Sequence, residues 1–454
     1  MPSRTLDVAR LIDDSRFSPR QLVIVILCGL MLLFDGYDGM EIAYVAPSLA
    51  RQWHLAPSML TLIFVGSGVS SIFGSLLIGP IADRHGRRLM MLGGAAVMGI
   101  ASLMGAFSAG PNEFFVWRVV GGFGLAAVMP NAIALGAEFA PARTRSFAVI
   151  ALYSGYAIGA SIGAGLSAQL IPAHGWEIVL IIGGVVPLAM AVLCIPILPE
   201  SIRFLVLRRP HSAAVAKELR RIDRHVRIDD ATIFVTSELA ATKSPVRDLF
   251  RDGRAATTLL LWLIFTMNIM ELIFLSSWTP TLLHNSGIPL DRALNVSMVM
   301  QVGAIVGGLV TALGMDRISP PAALLPAHLL GVFGVALFGL SIGEGPIMFV
   351  VAALMGAGVM GTQNGMNGFA AILYPTAMRA TGVGSALGVG RIGSIIGPIV
   401  GGALVSLGLP VPTIYILAAI PPLISTVAIF TLWRLSRQRP AVYDLPSPAG
   451  LERS

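Results

Sequence analysis

Few ionisable side chains fall well inside the long apolar stretches of this chain: Asp35, Asp38 and Glu41 in the first, Arg118 in the fourth, Glu271, His328 and Arg391 in later ones. An ionisable group in hydrocarbon costs at least about 2.5 kcal/mol on insertion scales, so each is a candidate for moving a proton or holding a charged ligand. Asp35 and Asp38 are three residues apart and share a helix face, whereas Glu41 is turned roughly 120° from Asp35 and lies near the outer end. Counted from Gln21, Asp35 is roughly 21 Å deep and Asp38 roughly 26 Å, which puts both in the outer half of a bilayer. Arg118, roughly 9 Å in from Asn112, matches the depth of Asp35. An Asp35–Arg118 pair would either fix helix packing permanently or, on protonation of the Asp, free the Arg to hold a carboxylate.

Arg391 lies roughly 14 Å into its stretch, near mid-membrane, without an obvious anion at that depth; its planar fork suits a carboxylate, and neighbouring carbonyls are the other reading. Glu271, beside Asn268, is either a second proton site or a neutral core group. Gln363, Asn364 and Asn367 can present one polar face, to hydrogen-bond a ring hydroxyl or to join helices. Tyr37, Tyr153, Tyr156 and Trp278 could stack on an aromatic ring, although Trp278 reads as an interface anchor. His328 reads as a core histidine. Gly36 and Gly39 could loosen the first helix, and Gly155, Gly159 and Gly163 form a flat packing stripe.

The elements that position these groups follow from composition. Of 454 residues, 55% are hydrophobic and 12% charged, far from the roughly 25% charged of soluble domains. Apolar blocks near 21–46, 57–79, 89–108, 113–137, 147–171, 176–198, 255–283, 293–314, 321–342, 346–370, 382–407 and 411–434 are each long enough to cross about 30 Å of hydrocarbon. The reading is an all-α membrane protein of twelve transmembrane helices in two pseudo-symmetric six-helix bundles. Its parts are an N-terminal segment (1–20), a first bundle (21–198), a linker (199–254), a second bundle (255–434) and a tail (435–454).

The net charge of +7 does not signal nucleic acid, because the basic residues follow the loops. With both termini cytoplasmic, 27 of the 31 Lys and Arg fall on the inside and only Arg51 and Arg292 outside. Cys28 and Cys194 lie in apolar blocks, which leaves no disulfide framework or metal cluster. Within the linker, 213–225 reads as a short basic helix, either solvated or lying on the membrane surface. An internal repeat divides the chain: Asp83-Arg84 recurs as Asp316-Arg317, Pro141…Arg145 as Pro375…Arg379, and Asp38 maps to Glu271 and Asn131 to Asn364. Repeated bundles suit a secondary transporter.

Gly79-Pro80-Ile81-Ala82-Asp83-Arg84-His85-Gly86-Arg87-Arg88 resembles the loop signature of the major facilitator superfamily. The resemblance implies a conformational latch at Asp83, Arg84, Gly86 and Arg87, with a weaker copy at Asp316 and Arg317. Asp35-Gly36-Tyr37-Asp38, Pro199-Glu200-Ser201-Ile202-Arg203-Phe204-Leu205 and Tyr374-Pro375-Thr376-Ala377-Met378-Arg379-Ala380-Thr381-Gly382 resemble the aromatic acid:proton symporter branch. It implies uptake of a small aromatic carboxylate such as 4-hydroxybenzoate, protocatechuate or benzoate with protons, by a monomer in a bacterial inner membrane. Asp35, Asp38 and Glu271 are then the proton-coupling candidates, and Arg391, Arg118, Tyr37, Tyr156, Gln363, Asn364 and Asn367 the substrate candidates. No nucleotide loop, metal spacing or nucleophile motif is present, so the expectation is no cofactor and no enzyme, with the proton gradient as the source of energy. The rivals are another organic-acid or sugar-acid carrier, an exporter, and a non-transporting receptor on the same fold.

Overall fold

The computed structural model describes residues 5–208, 213–223, 226, 228, 232–236 and 245–438. It opens with a short strand, β1 (Thr5–Asp7), and a helix, α1 (Val8–Asp14), capped by the Asp7 carboxylate, which accepts from the N–H groups of Ala9 and Arg10. Six long helices follow: α2 (Pro19–Gln52), α3 (Pro57–His85), α4 (Arg87–Ala106), α5 (Pro111–Phe139), α6 (Ala142–His174) and α7 (Glu177–Ile197). The linker carries α8 (Ile202–Arg208), α9 (Ala213–Ile222) and a second strand, β2 (Ile233–Val235).

After a 3-10 turn at Val246–Phe250 come α10 (Ala255–Asn285), α11 (Leu290–Arg317), α12 (Pro320–Leu340), α13 (Pro346–Val359), α14 (Thr362–Ile372), α15 (Thr376–Ser406), α16 (Val411–Ala418) and α17 (Ile420–Gln438). Among the described residues, eleven spans are long and apolar enough to cross a membrane, α16 and α17 together forming the last. The tenth expected span is the exception, for it is divided into α13 and α14. Glycines cause the break: Met360 and Gly361 both donate to the Gly356 carbonyl at 3.0 Å, while a Cβ on Gly361 would come within 2.6 Å of the Gly308 nitrogen on α11.

The chain forms two compact units, one of residues up to 45 with 66–240, the other of 46–65 with residues from 241 onward. In the first unit α2 and α6 touch backbone to backbone. A Cβ on Gly36 would lie 2.0 Å from the Tyr156 carbonyl oxygen, and one on Gly159 would lie 1.7 Å from that of Leu33. Gly36 therefore serves helix contact, and α2 runs unbroken through it, contrary to the expected local loosening.

The N-terminal segment and the linker depart most from expectation. Strands β1 and β2 pair in parallel, Leu6 opposite Phe234, in a chain expected to be all helical. Helix α9 is more than a solvated helix, because Val215, Leu219 and Ile222 are buried in one cluster with Val8 and Ile12 of α1 and Ile202 and Val206 of α8. Its apolar stripe was long enough to find a protein partner first. Arg20 holds Glu218 through two nitrogens, at 3.1 and 3.3 Å.

The second unit has its own core around Phe265, Phe369 and Tyr374. Tyr374 donates to the Thr258 hydroxyl at 3.0 Å, and its ring lies where a Cβ on Gly382 would come within 2.3 Å. The Tyr374…Gly382 stretch is thus a folded corner that seats the start of α15.

Candidate functional site

Helices α2, α4 and α5 bring four polar side chains together in the first unit. Ser102 on α4 lies between Asp38, whose carboxylate accepts its hydroxyl at 2.7 Å, and Glu41, which it also contacts. A single hydroxyl proton serves one of these acceptors at a time. Arg118 on α5 donates to Glu41 at 2.5 Å, with the arginine 2% and the glutamate 0% exposed. Gly183 on α7 leaves the space the glutamate needs, since a Cβ there would come within 2.2 Å of Glu41 Oε2. One oxygen each of Asp35, Asp38 and Glu41 is buried without a hydrogen-bond partner among the described residues.

Arg118 therefore pairs with Glu41 and not with Asp35. Depth alone matched Asp35 to Arg118, but helix rotation turns Glu41 toward α5. Sequence reading weighed Glu41 among the intramembrane charges but did not place it among the proton-coupling residues, and it passed over Ser102; the signal for Glu41 was its spacing of three from Asp38, which puts both on one face. Asp35 is buried at 2% exposure one turn further in.

The tyrosines were read as stacking candidates, and Tyr37 is held in place by packing and a hydrogen bond. It is buried, donates to the Val179 carbonyl at 2.9 Å, and presses its ring on Gly163. Tyr156 is half-buried beside the same helix, its hydroxyl where a Cβ on Gly39 would come within 2.7 Å.

In the second unit, Glu271 and Asn268 share a face of α10, and Asn268 Nδ2 donates to Gln363 Oε1 on α14 at 2.6 Å. Asn367 is one turn beyond Gln363. One oxygen each of Asn268, Glu271 and Asn367 accepts no hydrogen bond among the described residues. The side chain of Asn364 lies outside the described residues. Arg391 does not occupy the buried, isolated position its depth suggested. It is exposed on α15, on a face where Gly384 and Gly388 also meet open space, and it does not lack a partner. Trp278 is a core residue and not an interface anchor. It is fully buried, donates to the Pro398 carbonyl at 3.2 Å and meets Phe64 edge-on at 5.5 Å. His328 is buried with Nδ1 3.1 Å from the Leu324 carbonyl.

The loop between α3 and α4 makes a second polar assembly. Gly86 adopts φ +101°, the left-handed region open to glycine, and its missing Cβ leaves room for Glu200. Glu200 accepts the Arg88 N–H at 3.0 Å and the Ser201 N–H at 2.9 Å. Arg87 pairs with Glu138 at the end of α5, and the Ser201 hydroxyl donates to the other Glu138 oxygen at 2.5 Å. Thus the Gly86-Arg87-Arg88 and Pro199-Glu200-Ser201 stretches are two sides of one joint, with Glu138 the member not singled out from sequence. Asp83 and Arg84 are exposed, and Asp83 makes no ion pair among the described residues; the Arg84 carbonyl accepts from Arg208. Asp316 and Arg317 are likewise exposed, without an ion pair among the described residues.

Residues 25–391 match the Major Facilitator Superfamily. The chain is 36% identical to a gallate transporter of Pseudomonas putida, over 93% of this chain and 94% of that one. It is 34% identical to the 4-hydroxybenzoate transporter PcaK of Pseudomonas aeruginosa (93% and 95%) and 31% identical to a benzoate transport protein of Acinetobacter baylyi (95% and 93%). Its fold resembles a bacterial homologue of the human lysosomal transporter Spinster, with a TM-score of 0.70, 15% identity and coverage of 95% and 99%. It also resembles the xylose transporter XylE of Escherichia coli, with a TM-score of 0.64, 16% identity and coverage of 90% and 99%. It is a multi-pass membrane transporter and not an enzyme. With relatives of this kind matched along nearly their whole length, the chain belongs to the major facilitator superfamily, in the branch of these aromatic-acid transporters.

Proposed function

We propose that this protein takes up a small aromatic carboxylate, such as 4-hydroxybenzoate, protocatechuate or benzoate, across a bacterial inner membrane together with protons, by alternating access. In this reading it works as a monomer with no cofactor, and the proton gradient supplies the energy. The names of its relatives support the substrate class. The distribution of 27 of 31 basic residues supports an orientation in which the N-terminal segment, linker and tail face the cytoplasm.

The observation that carries the reading is the buried Asp38–Ser102–Glu41–Arg118 cluster. With Asp35 it holds three carboxyl groups against one guanidinium, so its charge balance depends on protons. An aromatic carboxylate entering alone is opposed by an inside-negative potential, worth about 2.3 kcal/mol per charge per 100 mV. A proton taken up with it removes that opposition. Protonation at Glu41 releases Arg118 from its ion pair, and the freed fork can then act on an anion. Asp35 and Asp38 stand on the same helix to relay or share the proton. In the second unit, Glu271 is the further proton candidate, Arg391 the carboxylate clamp, and the Gln363 and Asn367 amides partners for ring hydroxyls. The Gly86-Arg87 joint, with Asp83 and Arg84 beside it, serves as a latch at the cytoplasmic face, and Asp316 and Arg317 as a weaker one.

The test is uptake of labelled 4-hydroxybenzoate into proteoliposomes under an imposed pH gradient. Wild type should concentrate it, whereas Asp38→Asn and Glu41→Gln should lose uphill accumulation and retain exchange without a gradient. Normal accumulation with unaltered pH dependence in both variants would overturn the assignment. Arg391→Ala and Arg391→Lys should each weaken binding by roughly 10-fold or more, because an ammonium does not reproduce the bidentate fork.

A further inference from the structure

Ser102 stands at the centre of the buried cluster. Helix α4 places its hydroxyl 2.7 Å from Asp38 Oδ1 and in contact with Glu41 Oε1, the oxygen that also accepts from Arg118 at 2.5 Å. A serine hydroxyl has one proton and two lone pairs, whereas an ionised carboxylate only accepts. Both contacts are therefore hydrogen bonds only when one of the two carboxyls carries a proton and donates it to Ser102 Oγ. The same oxygen positions serve two arrangements. With Glu41 protonated, the hydroxyl donates to Asp38; with Asp38 protonated, it donates to Glu41.

The surroundings keep that proton within the group. Ser102, Asp38, Glu41 and Arg118 are all buried, and Asp38 Oδ2 and Glu41 Oε2 accept no hydrogen bond among the described residues. Besides Arg118 on α5, the ionisable groups that face the two carboxyls are Asp35 and Tyr37 on α2 and Tyr156 on α6. Tyr37 is committed to the Val179 carbonyl, and the stretches of α4 and α7 around Ser102 and Gly183 carry no ionisable group. Asp38 and Glu41, three residues apart on α2, also approach each other directly, which makes transfer without the serine the rival route. The second half has Val335 in place of Ser102 and lacks the bridge.

We propose that Ser102 relays the coupled proton from Glu41 to Asp38; the inference rests on the proton-coupled uptake and the orientation argued above. Glu41 is the outermost of the three carboxyls on α2, so it receives the proton from outside, and Arg118 is then free to hold the substrate carboxylate. The Glu41 O–H bond breaks as Ser102 Oγ gains that proton, and the serine's own proton passes to Asp38 Oδ1. One proton has moved inward, Ser102 is neutral before and after, and the negative charge has moved from Asp38 to Glu41. The ionised Glu41 takes Arg118 back, so the substrate loses its cation and leaves.

The test compares net uptake with exchange of labelled 4-hydroxybenzoate in proteoliposomes, with no initial pH gradient and a lumenal pH dye to follow protons. Ser102→Ala should lose net uptake and the accompanying acidification by roughly tenfold or more. It should retain exchange of internal for external substrate, because exchange returns the carrier with its proton in place. Ser102→Thr, which keeps the hydroxyl, should recover most of the net uptake. Unchanged net uptake and acidification in Ser102→Ala overturn the proposal in favour of direct transfer between Glu41 and Asp38. Exchange that falls in step with net uptake shows a merely structural serine and overturns it too, as does a Ser102→Thr variant that exchanges normally yet takes up no more than Ser102→Ala. In each of these cases wild type still acidifies the lumen with substrate and the uptake reading stands. Wild-type uptake without acidification overturns that reading, and the relay with it.

Discussion

The two halves share a helix plan but not a charge plan. At the repeat offset of 233, Asp35 corresponds to Asn268, Asp38 to Glu271, Glu41 to Phe274, Ser102 to Val335 and Arg118 to Val351. The first half keeps a buried ion pair with further carboxyls around it; the second keeps one carboxyl among amides. The same contrast holds at the loops, where Gly86, Arg87 and Arg88 correspond to Ser319, Pro320 and Pro321. Arg87 pairs with Glu138, whereas Pro320 can form no such joint and instead starts α12. The duplicated scaffold thus holds a buried ion pair in one copy and, at the matching positions, a buried carboxyl beside a hydrogen-bonded amide pair in the other. Packing is what the copies preserve: Gly159 presses on the Leu33 carbonyl, and Gly393, its counterpart one residue out of register, presses on that of Thr266.

The contrast is most directly broken at Arg118. Arg118→Ala leaves Glu41 buried without its cation, and loss of one partner of a buried pair costs about 3–5 kcal/mol. Uptake should vanish and thermal unfolding of the purified protein should shift down, with Glu41→Gln in the same chain recovering part of the shift. A variant as stable as wild type would mean that the pair is not buried as a unit. The next effect tests what the halves share. Gly159→Ala and Gly393→Ala should each cost about 1–3 kcal/mol through overpacking, read as folded yield by size-exclusion chromatography; tolerance of one alone would show that the helix contact is not duplicated.

Smaller effects sharpen the loop comparison. The Arg87–Glu138 pair is part-exposed, so Arg87→Ala should cost roughly 1 kcal/mol or less in stability while slowing transport a few-fold. Asp316→Asn should stay within about twofold of wild type, and an equal slowing would give the second half a joint of its own. Least of all should be Glu271→Gln in the folded state, since Glu271 has no cationic partner among the described residues and an amide retains an acceptor. A shift in unfolding as large as that of Arg118→Ala would remove the proposed asymmetry.

Much of this was legible in residue order. Hydrophobic blocks longer than the bilayer is thick announce helical spans, because a backbone in hydrocarbon must satisfy its own hydrogen bonds. Buried charges are costly enough that Asp35, Asp38, Arg118 and Glu271 stand out without a structure. The repeat was visible because both copies keep Asp-Arg and a Pro…Arg stretch at one offset. Partners were less visible. Depth along a helix can be counted at 1.5 Å per residue, but the rotation of α2 against α5 depends on which faces pack, and that decided for Glu41 over Asp35 as the partner of Arg118.

The sequence by itself determined the spans, the duplicated plan and the short set of charges that hydrocarbon makes conspicuous, because each follows from local composition and from transfer energies that need no neighbour. Only the tertiary structure decided which charges meet, that Tyr37 is bonded to the Val179 carbonyl and Trp278 lies in the core and not at an interface, that α13 and α14 are separate helices, and that the N-terminal segment and linker close over the first unit with a β pair. Those outcomes depend on contacts between residues far apart in the chain: Gly183 making room for Glu41, Val215 and Leu219 burying against Val8, and Glu200 filling the space that Gly86 leaves. No local pattern encodes such contacts, since each depends on the shape of a surface supplied by another part of the fold.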